Sequence, residues 1–419
     1  MLPERFSRNS AEAGLRVQDE TLISQRSKYC STCESNDRRK FLYAYNLFEE
    51  KGVIPVLKYD AFHFLDPQKL VEPPKNTISI DPLKVGLPRF STLKGALQCI
   101  HWREAEAAGW ELVEEVIATR GAGAVIPEEL KTDKRRKMLE MVETAVIITI
   151  HHYAVSDAPR IRILTKAILF LFLHDDVIES VVNTEGGTVL EGWDNDTFTA
   201  DELDHASRND VFLGFCREAI AVDPILGLEL MQDTVRWARY SRNHNTKDIA
   251  HVTWNDFYSF REIDIADDFM ITAVRFAANT LHEKADRSAL HDFERLYIRH
   301  CVFINDLHSH DSEAFKAQSE GAPPHNSIHT IEQIFSVPSS SAKGILRSLL
   351  WDCERQMREE YQRLISLPDI NERQKEYLKR VVECIAGNMV YSMTTYRYAQ
   401  LSGKILERPD SKSMQEELV

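Results

Sequence analysis

The hydrophobic and polar positions of this chain change character near residue 100. From there to about residue 400, apolar residues recur at three- and four-residue steps, which is the spacing of one helix face. No stretch of useful length alternates between polar and apolar residues as a half-buried strand does. The pattern predicts an all-α fold, a bundle of long helices around a central site. The predicted helices cover residues 101–120, 135–155, 158–183, 199–221, 225–244, 253–280, 289–314, 340–366 and 371–401.

The two ends of the chain differ in composition from this helical part. Residues 1–40 are polar and mixed in charge, which predicts a disordered N-terminal extension. Residues 41–98 contain six prolines and several aromatic residues, so we expect an irregular lead-in that packs on the helical core. The helical domain is expected to span 99–402, and a polar tail follows over 403–419.

A row of polar residues interrupts the apolar pattern of the helix predicted over 289–314. Asn305, Ser309 and Glu313 stand at positions i, i+4 and i+8, so a helix brings them to one face over about 12 Å. Their amide oxygen, hydroxyl and carboxylate are hard oxygen donors, which suit Mg²⁺. Surface helices also carry solvated polar rows, so this row alone leaves both interpretations open.

A second stretch joins a buried helix to acidic residues. Residues 164–173 are nearly all apolar, and Asp175, Asp176 and Glu179 follow almost directly. Carboxylates at the end of a buried helix repel one another and lose hydration, and a bound cation relieves both costs. The alternative interpretation is a helix end that emerges into water.

Taken together and in this order, the two stretches resemble the metal-binding motifs of class I terpene cyclases. The run from Asp175 to Glu179 resembles the aspartate-rich motif in its DDxxE form, and Asn305 to Glu313 resembles the later Asn/Ser/Glu motif. The first motif looks most like the cyclase half of fungal chimeric di- and sesterterpene synthases. The resemblance implies a class I terpenoid synthase fold over 99–402. It also implies a carbon–oxygen lyase that ionises a prenyl diphosphate, cyclises the allylic cation and releases diphosphate.

The resemblance implies three Mg²⁺ ions, for which Mn²⁺ is expected to substitute. Asp175, together with Glu179, is expected to hold two of these ions. The third is expected at Asn305, Ser309 and Glu313. Such ions act as Lewis acids on a leaving diphosphate.

Four further residues match positions at which the family binds or senses diphosphate. Arg261 matches the sensing Arg, and Asp264 matches the Asp that follows it at a helix break, here expected at 265–266, where relatives often carry Gly. Arg397 and Tyr398 match the C-terminal pair that binds diphosphate on closure. Arginine suits this task because its planar fork binds phosphate oxygens bidentately. An ordinary i, i+3 surface pair is the alternative for Arg261 and Asp264.

Other substrate contacts follow from the same resemblance. Fungal members often carry Lys just before the motif's Glu; Ser312 stands there, and Lys316, one turn beyond, is expected to supply the charge. Asp176 is expected to contact the substrate, and Tyr391 stands where Trp is common. Ordinary helix packing is the alternative for each apolar candidate. The candidate cavity residues are Phe172, Ile168, Cys301 and Tyr391.

Charge and composition limit the kinds of partner that this protein is expected to bind. The net charge is −14 and no long basic block offsets it, which argues against nucleic acid. The N-terminus has no apolar signal core, the longest apolar run is too short to span a bilayer, and the seven cysteines are scattered. We therefore expect a cytoplasmic protein whose helical faces allow a homodimer. Its expected substrate is a linear prenyl diphosphate, with geranylgeranyl diphosphate favoured and farnesyl diphosphate as the alternative.

Three rival interpretations come from other classes. A helical metal-dependent phosphohydrolase would place several imidazoles on one metal, and His174 and His310 each precede an Asp. A prenyl chain-elongating enzyme would need a second DDxxD motif, whereas Ile271 stands where the third acid after Asp267 and Asp268 is required. A non-enzymatic helical scaffold would have a packed core without a pocket.

Overall fold

The described part of the chain covers most of the helical region. In the computed structural model it comprises residues 60–85, 87, 90–120, 134–179, 190, 192–193, 195–206, 210–243, 253–320, 324–395 and 397–398. Within helices, the backbone alone is described at residues 120, 134–137, 176–179, 243, 284–286, 316 and 318–320. The predicted N-terminal extension and polar tail lie outside the described residues.

Twelve α-helices account for most of the described residues, which confirms the all-α fold. They are α1 (Trp102–Arg120), α2 (Lys134–His152), α3 (Ala158–Glu179), α4 (Ala200–Asp204), α5 (Val211–Val222), α6 (Leu226–Asn243), α7 (Trp254–Asp264), α8 (Asp267–Ala278), α9 (His291–Glu320), α10 (Ser327–Phe335), α11 (Ser339–Ile365) and α12 (Glu372–Thr394). Short 3₁₀ helices cover His63–Leu65 and Lys284–Leu290. None of the described helices combines the length and apolarity that crossing a bilayer requires.

Two short strands form where the sequence shows no alternating pattern of useful length. β1 (Thr77–Ile80) pairs antiparallel with β2 (Ala96–Cys99), with Thr77 opposite Cys99. All four residues of β2 are buried, because the strand packs against α2 and α12. A strand covered on both faces shows no alternation of polar and apolar residues, so the pattern that reveals half-buried strands is missing.

Two helix predictions also need correction. The helix predicted over 199–221 is two helices, because Asp210 leaves the helical conformation and caps α5 by accepting a hydrogen bond from the Leu213 N–H at 2.8 Å. The helix α10 was not predicted at all. It has only nine residues and lies between Pro324 and Pro338, where turn residues dominate the local pattern.

The packing of the helices brings the two motif-bearing elements into one bundle. Helix α3 packs against α1, α2 and α6, and its apolar stretch is almost entirely buried. Helix α9 packs against α10, α11 and α12. Residues 397 and 398, which follow α12, contact both α3 and α9. The candidate site therefore lies where these elements meet.

Candidate active site

Arg261, on α7, connects three oxygen-bearing side chains. Its Nη2 donates to Asn305 Oδ1 at 3.1 Å and to Asp306 Oδ1 at 2.6 Å, and its Nη1 contacts the Asp264 carboxylate. Burial disfavours the charged guanidinium, but the negative charges of Asp306 and Asp264 outweigh it, so the pKa of Arg261 is raised. Only 7% of Arg261 is exposed, which separates it from an ordinary surface ion pair.

The chain breaks its helix directly after Asp264, where the sequence predicted a break. Ala266 has φ 66° and ψ 52°, the left-handed conformation that glycine adopts most easily. An alanine there costs roughly 1–2 kcal/mol, so the surrounding packing must impose it. Trp237 contributes by donating its Nε1–H to the Asp264 carbonyl at 3.0 Å. The break ends α7 with Asp264 beside Arg261.

Asn305, Ser309 and Glu313 lie along one face of α9, and neighbouring side chains hold all three. Asn305 donates from Nδ2 to Tyr398 Oη at 2.9 Å. Asn326, the N-cap of α10, places its Nδ2 3.3 Å from Ser309 Oγ and 3.0 Å from Glu313 Oε2. Asn326 thus connects Ser309 with Glu313, whereas Asn305 is held by Tyr398 and Arg261.

The chemistry of this row suits a hard divalent cation. It offers an amide oxygen, a hydroxyl and a carboxylate, the donors that Mg²⁺ prefers. Burial and the charge of Asp306 raise the pKa of Glu313, and hydrogen bonds from Ser309 and Asn326 oppose this only in part. A bound cation would stabilise the carboxylate further. Among the described residues no group of three His, Cys, Asp or Glu side chains is arranged to hold a metal ion, but two of the donors here are Asn and Ser.

In the predicted aspartate-rich motif, Asp175 is the first residue and its side chain is described. Asp175 Oδ2 accepts a hydrogen bond from Arg397 Nη2 at 3.0 Å, and both side chains are less than a third exposed. The Arg397 guanidinium also lies over the Phe172 ring, 5.2 Å from its centroid. The side chains of Asp176 and Glu179 lie outside the described residues, so their roles stay predictions.

Arg397 and Tyr398 connect the two motifs through adjacent positions. Arg397 contacts Asp175 on α3, whereas Tyr398 accepts from Asn305 on α9. Tyr391 packs its ring edge-on to Tyr398, with centroids 5.8 Å apart. Burial raises the pKa of Tyr398, so its hydroxyl keeps its proton at neutral pH and can donate it in a hydrogen bond.

The remaining candidate residues are those expected to line the cavity, together with Lys316. Ile168 and Cys301 are buried on α3 and α9, and Tyr391 is buried on α12. Burial alone is equally expected of a cavity wall and of packed core, so their assignment to the cavity stays a prediction. The side chain of Lys316 lies outside the described residues.

The histidines are arranged differently from a hydrolase metal site. His174 Nε2 lies 3.1 Å from the Ala238 carbonyl oxygen, and His310 Nδ1 lies 3.0 Å from Asp311. Burial lowers the pKa of His174 to about 4, so it is a neutral ring inside the bundle. These contacts give no support to a metal shared by His174 and His310.

Sequence reasoning missed two residues of the site. Asp306 is fully buried and accepts from Arg261 at 2.6 Å and from the Ser327 N–H at 2.8 Å. Asn326 is also fully buried. Asp306 stands inside the recognised motif, and Asn326 precedes a short apolar-periodic run as an N-cap does. Both signals were present, but neither indicated which side chains these residues would contact.

The fold is that of class I terpene synthases. Aristolochene synthase from Penicillium roqueforti superposes with a TM-score of 0.54 at 18% identity, covering 70% of this chain and 95% of that one. A variant of the SVS_A2 protein from ancestral sequence reconstruction gives 0.53 at 14% identity, covering 74% and 88%. At these identities the similarity is evidence of the fold alone.

Sequence comparison then identifies the family. No family model matches the chain. Terpene cyclase aneC of Aspergillus aculeatus is 64% identical, covering 88% of this chain and 84% of the relative. Terpene cyclase 6 of Gibberella fujikuroi is 29% identical, covering 79% and 87%. Phomopsene synthase of Phomopsis amygdali is 22% identical, covering 57% and 33%. This chain belongs to the terpene cyclase family, a membership that decides against the hydrolase and scaffold interpretations.

Proposed function

We propose that this protein is an Mg²⁺-dependent cyclase of a linear prenyl diphosphate. The carbon–oxygen bond to diphosphate breaks, the electron pair leaves with the diphosphate, and alkenes of the same molecule attack the allylic cation to form rings. The cyclised cation then loses a proton to give a hydrocarbon, or adds water and loses a proton to give an alcohol. One observation carries the proposal: Arg261, Asn305 and Tyr398 form a hydrogen-bonded chain, and the adjacent Arg397 extends it to Asp175. This hydrogen-bonded chain supports the proposal because it connects two arginines with Asp175 and Asn305, one proposed metal-binding residue from each motif.

The metal-binding residues of this proposal come from two helices. Asn305, Ser309 and Glu313 on α9 would hold one ion, and Asp175 with Glu179 on α3 would hold two more. When bound, Mg²⁺ supplies Lewis-acid stabilisation of the leaving diphosphate. The carboxylates would bind these ions, whose positive charge would in turn attract the negatively charged diphosphate.

Both arginines would donate hydrogen bonds to the substrate. Arg261 is paired with Asp306 and Asp264, and Arg397 is paired with Asp175. A guanidinium has five N–H donors, so each can keep a carboxylate partner while donating to diphosphate oxygens. Positive charge already held at these positions stabilises the departing diphosphate without reorganisation in the transition state.

The cation must be protected from water until the rings have closed. Phe172 lies beside the guanidinium of Arg397, so its ring is close to the place where the leaving group would separate. Aromatic faces attract positive charge and do not react with it as water does. Phe172, Ile168, Cys301 and Tyr391 are therefore proposed to contact the isoprenoid chain.

Two chain lengths of the prenyl diphosphate substrate are candidates. The aspartate-rich motif's resemblance to chimeric di- and sesterterpene synthases favours geranylgeranyl diphosphate. However, identity is 64% and 29% with two proteins called simply terpene cyclases, and 22% with phomopsene synthase, only 33% of which is covered. This order of sequence identities weakens the argument that rests on the resemblance to chimeric synthases. Farnesyl diphosphate is therefore the second candidate.

The test is incubation of the purified protein with farnesyl, geranylgeranyl and geranylfarnesyl diphosphates, with and without Mg²⁺, followed by gas chromatography–mass spectrometry. We expect one substrate to give a cyclic hydrocarbon or alcohol that disappears without Mg²⁺ and in Asn305→Ala. The substrate that reacts decides the chain length. Absence of Mg²⁺-dependent turnover with all three would contradict the proposal.

A further inference from the structure

Asn326 lies at the start of α10 and is fully buried. Its Oδ1 accepts the Ile328 N–H at 2.9 Å, which is the bond of a helix N-cap. Because the oxygen is turned toward α10, the Nδ2 group faces α9. There it lies 3.3 Å from Ser309 Oγ and 3.0 Å from Glu313 Oε2. One amide therefore joins the start of α10 to two residues of the proposed metal row.

The hydrogen bonds of this amide leave both row residues able to bind a cation. An amide carries two hydrogens, and Nδ2 has a third acceptor within reach, the Asp306 carbonyl at 3.1 Å. Three acceptors share two hydrogens, so at least one hydrogen is divided between two acceptors. Ser309 Oγ has two lone pairs and each oxygen of the Glu313 carboxylate has two, so both side chains retain acceptor sites for a cation. The amide thus orients these two side chains without occupying all their acceptor sites.

Helix capping alone does not explain Asn326. Asn371 caps α12 through the same type of bond, accepting the Gln374 N–H at 2.9 Å, yet Asn371 is exposed. Serine, threonine, aspartate and glycine also serve as N-caps. A serine or threonine hydroxyl uses one atom for both tasks and has a single hydrogen, and an aspartate has none to donate, whereas the Asn326 amide caps α10 with its oxygen and donates to α9 with a separate nitrogen.

Ser327, the residue after Asn326, adds a second connection between α10 and α9. Ser327 donates its backbone N–H to Asp306 Oδ2 at 2.8 Å, and its hydroxyl contacts the same oxygen. Arg261 donates to the other oxygen of Asp306. The two residues that begin α10 therefore contact α9 along the face that carries the row.

We propose that Asn326 is a positioning residue for the metal row, which holds Ser309 and Glu313 in the orientation that binds a divalent cation. The inference rests on the proposed function, since it concerns the same site. Groups that orient metal ligands in this way change metal affinity by about 10–100-fold when they are removed. Because Asn326 is not itself a ligand, its loss weakens cation binding without abolishing it.

The experiment compares Asn326→Ser with Asn371→Ser as a matched control. Both substitutions keep a neutral N-cap, but only the first removes an amide that faces the metal row. The readout is the Mg²⁺ concentration that gives half of the maximal increase in Tm at a fixed concentration of inorganic pyrophosphate. We expect this concentration to rise about 10-fold or more in Asn326→Ser. We expect the wild-type value in Asn371→Ser.

Each other result of this experiment contradicts either the role of Asn326 or the proposed function. Wild-type binding in Asn326→Ser, or an equal loss in both variants, would overturn the role of Asn326. If the serine variant does not fold, Asn326→Gly replaces it, because glycine also caps helices, and the same criteria apply. A wild-type protein whose Tm does not respond to Mg²⁺ and pyrophosphate contradicts the proposed function itself. A responding wild type with an unaltered variant contradicts only the positioning role.

Discussion

Single residues decide how the candidate site is charged before any substrate arrives. Arg261 is almost fully buried and is neutralised by Asp306 and Asp264, so its charge is stable inside the bundle. Arg397 is partly exposed and is paired with Asp175. A buried guanidinium with fixed partners suits a permanent contact, whereas the more exposed one is better placed to change partners when substrate binds.

Replacing Arg261 by lysine tests its proposed contact with diphosphate. Lysine keeps the charge but has three N–H donors instead of five and no planar fork. It therefore cannot keep the contacts with Asp264, Asn305 and Asp306 and also donate to a diphosphate oxygen. We expect Arg261→Lys to lower turnover by about 100-fold, the usual cost of removing one donor to a developing negative charge. Steady-state kinetics at saturating Mg²⁺ measures the effect.

Arg275→Lys is the control for Arg261→Lys. Arg275 is also fully buried and ion-paired, with Glu229 at 2.8 Å, but it lies on α8 and has no proposed contact with substrate. Both variants are expected to lose roughly 1–3 kcal/mol of unfolding free energy, measured in urea. Only Arg261→Lys should lose turnover per folded molecule. Equal turnover in the two variants would contradict the role of Arg261.

Individual residues also show which parts of the site could be predicted from the sequence and which could not. Spacing along α9 was sufficient to propose Asn305, Ser309 and Glu313, because helical geometry brings residues four apart to one face. The contacts of Asp306 and Asn326 depend on how α7 and α10 pack against α9. Tertiary packing of this kind leaves no periodic signal in the sequence.

At the scale of elements, long helices were predicted better than short ones. Helix α9 was predicted over 289–314 and extends over His291–Glu320. The interruption between α7 and α8 lies at Ala266, as expected. The nine-residue α10 and the hairpin of β1 and β2 were missed, because elements this short contain about two turns or one strand pair and no repeated pattern.

Substitutions at two glycines within helices test close helix packing separately from helix propensity. A Cβ added at Gly387 on α12 would overlap the carbonyl of His151 on α2, whereas one added at Gly344 on α11 would meet nothing within 4 Å. We expect Gly387→Ala to lower the unfolding free energy by about 1–3 kcal/mol, since α2 and α12 must separate. Gly344→Ala is expected to raise it by up to about 1 kcal/mol.

Urea denaturation of both glycine variants measures the difference. Because α12 leads to Arg397 and Tyr398, Gly387→Ala is also expected to lose activity, and Gly344→Ala is not. A Gly387→Ala protein as stable as the wild type would contradict the close approach of α2 and α12.

At the scale of the whole molecule, the helices place residues from distant parts of the chain at one site. Asp175 is separated from Arg397 by 222 positions, and Asn305 from Tyr398 by 93. The all-α fold followed from periodicity, and the family followed from two motifs in a fixed order. The substrate length did not follow, since it depends on cavity volume, which helix spacing in the sequence does not report.

The central claim is that α3 and α9 bind metal ions around a shared diphosphate. Its most direct test is a crystal structure with Mn²⁺ and inorganic pyrophosphate, using the anomalous scattering of Mn²⁺ to locate the ions. We predict one ion at Asn305, Ser309 and Glu313 and two at the Asp175 motif, with pyrophosphate in contact with Arg261. Ions bound elsewhere, or pyrophosphate bound without contact to either helix, would contradict the account.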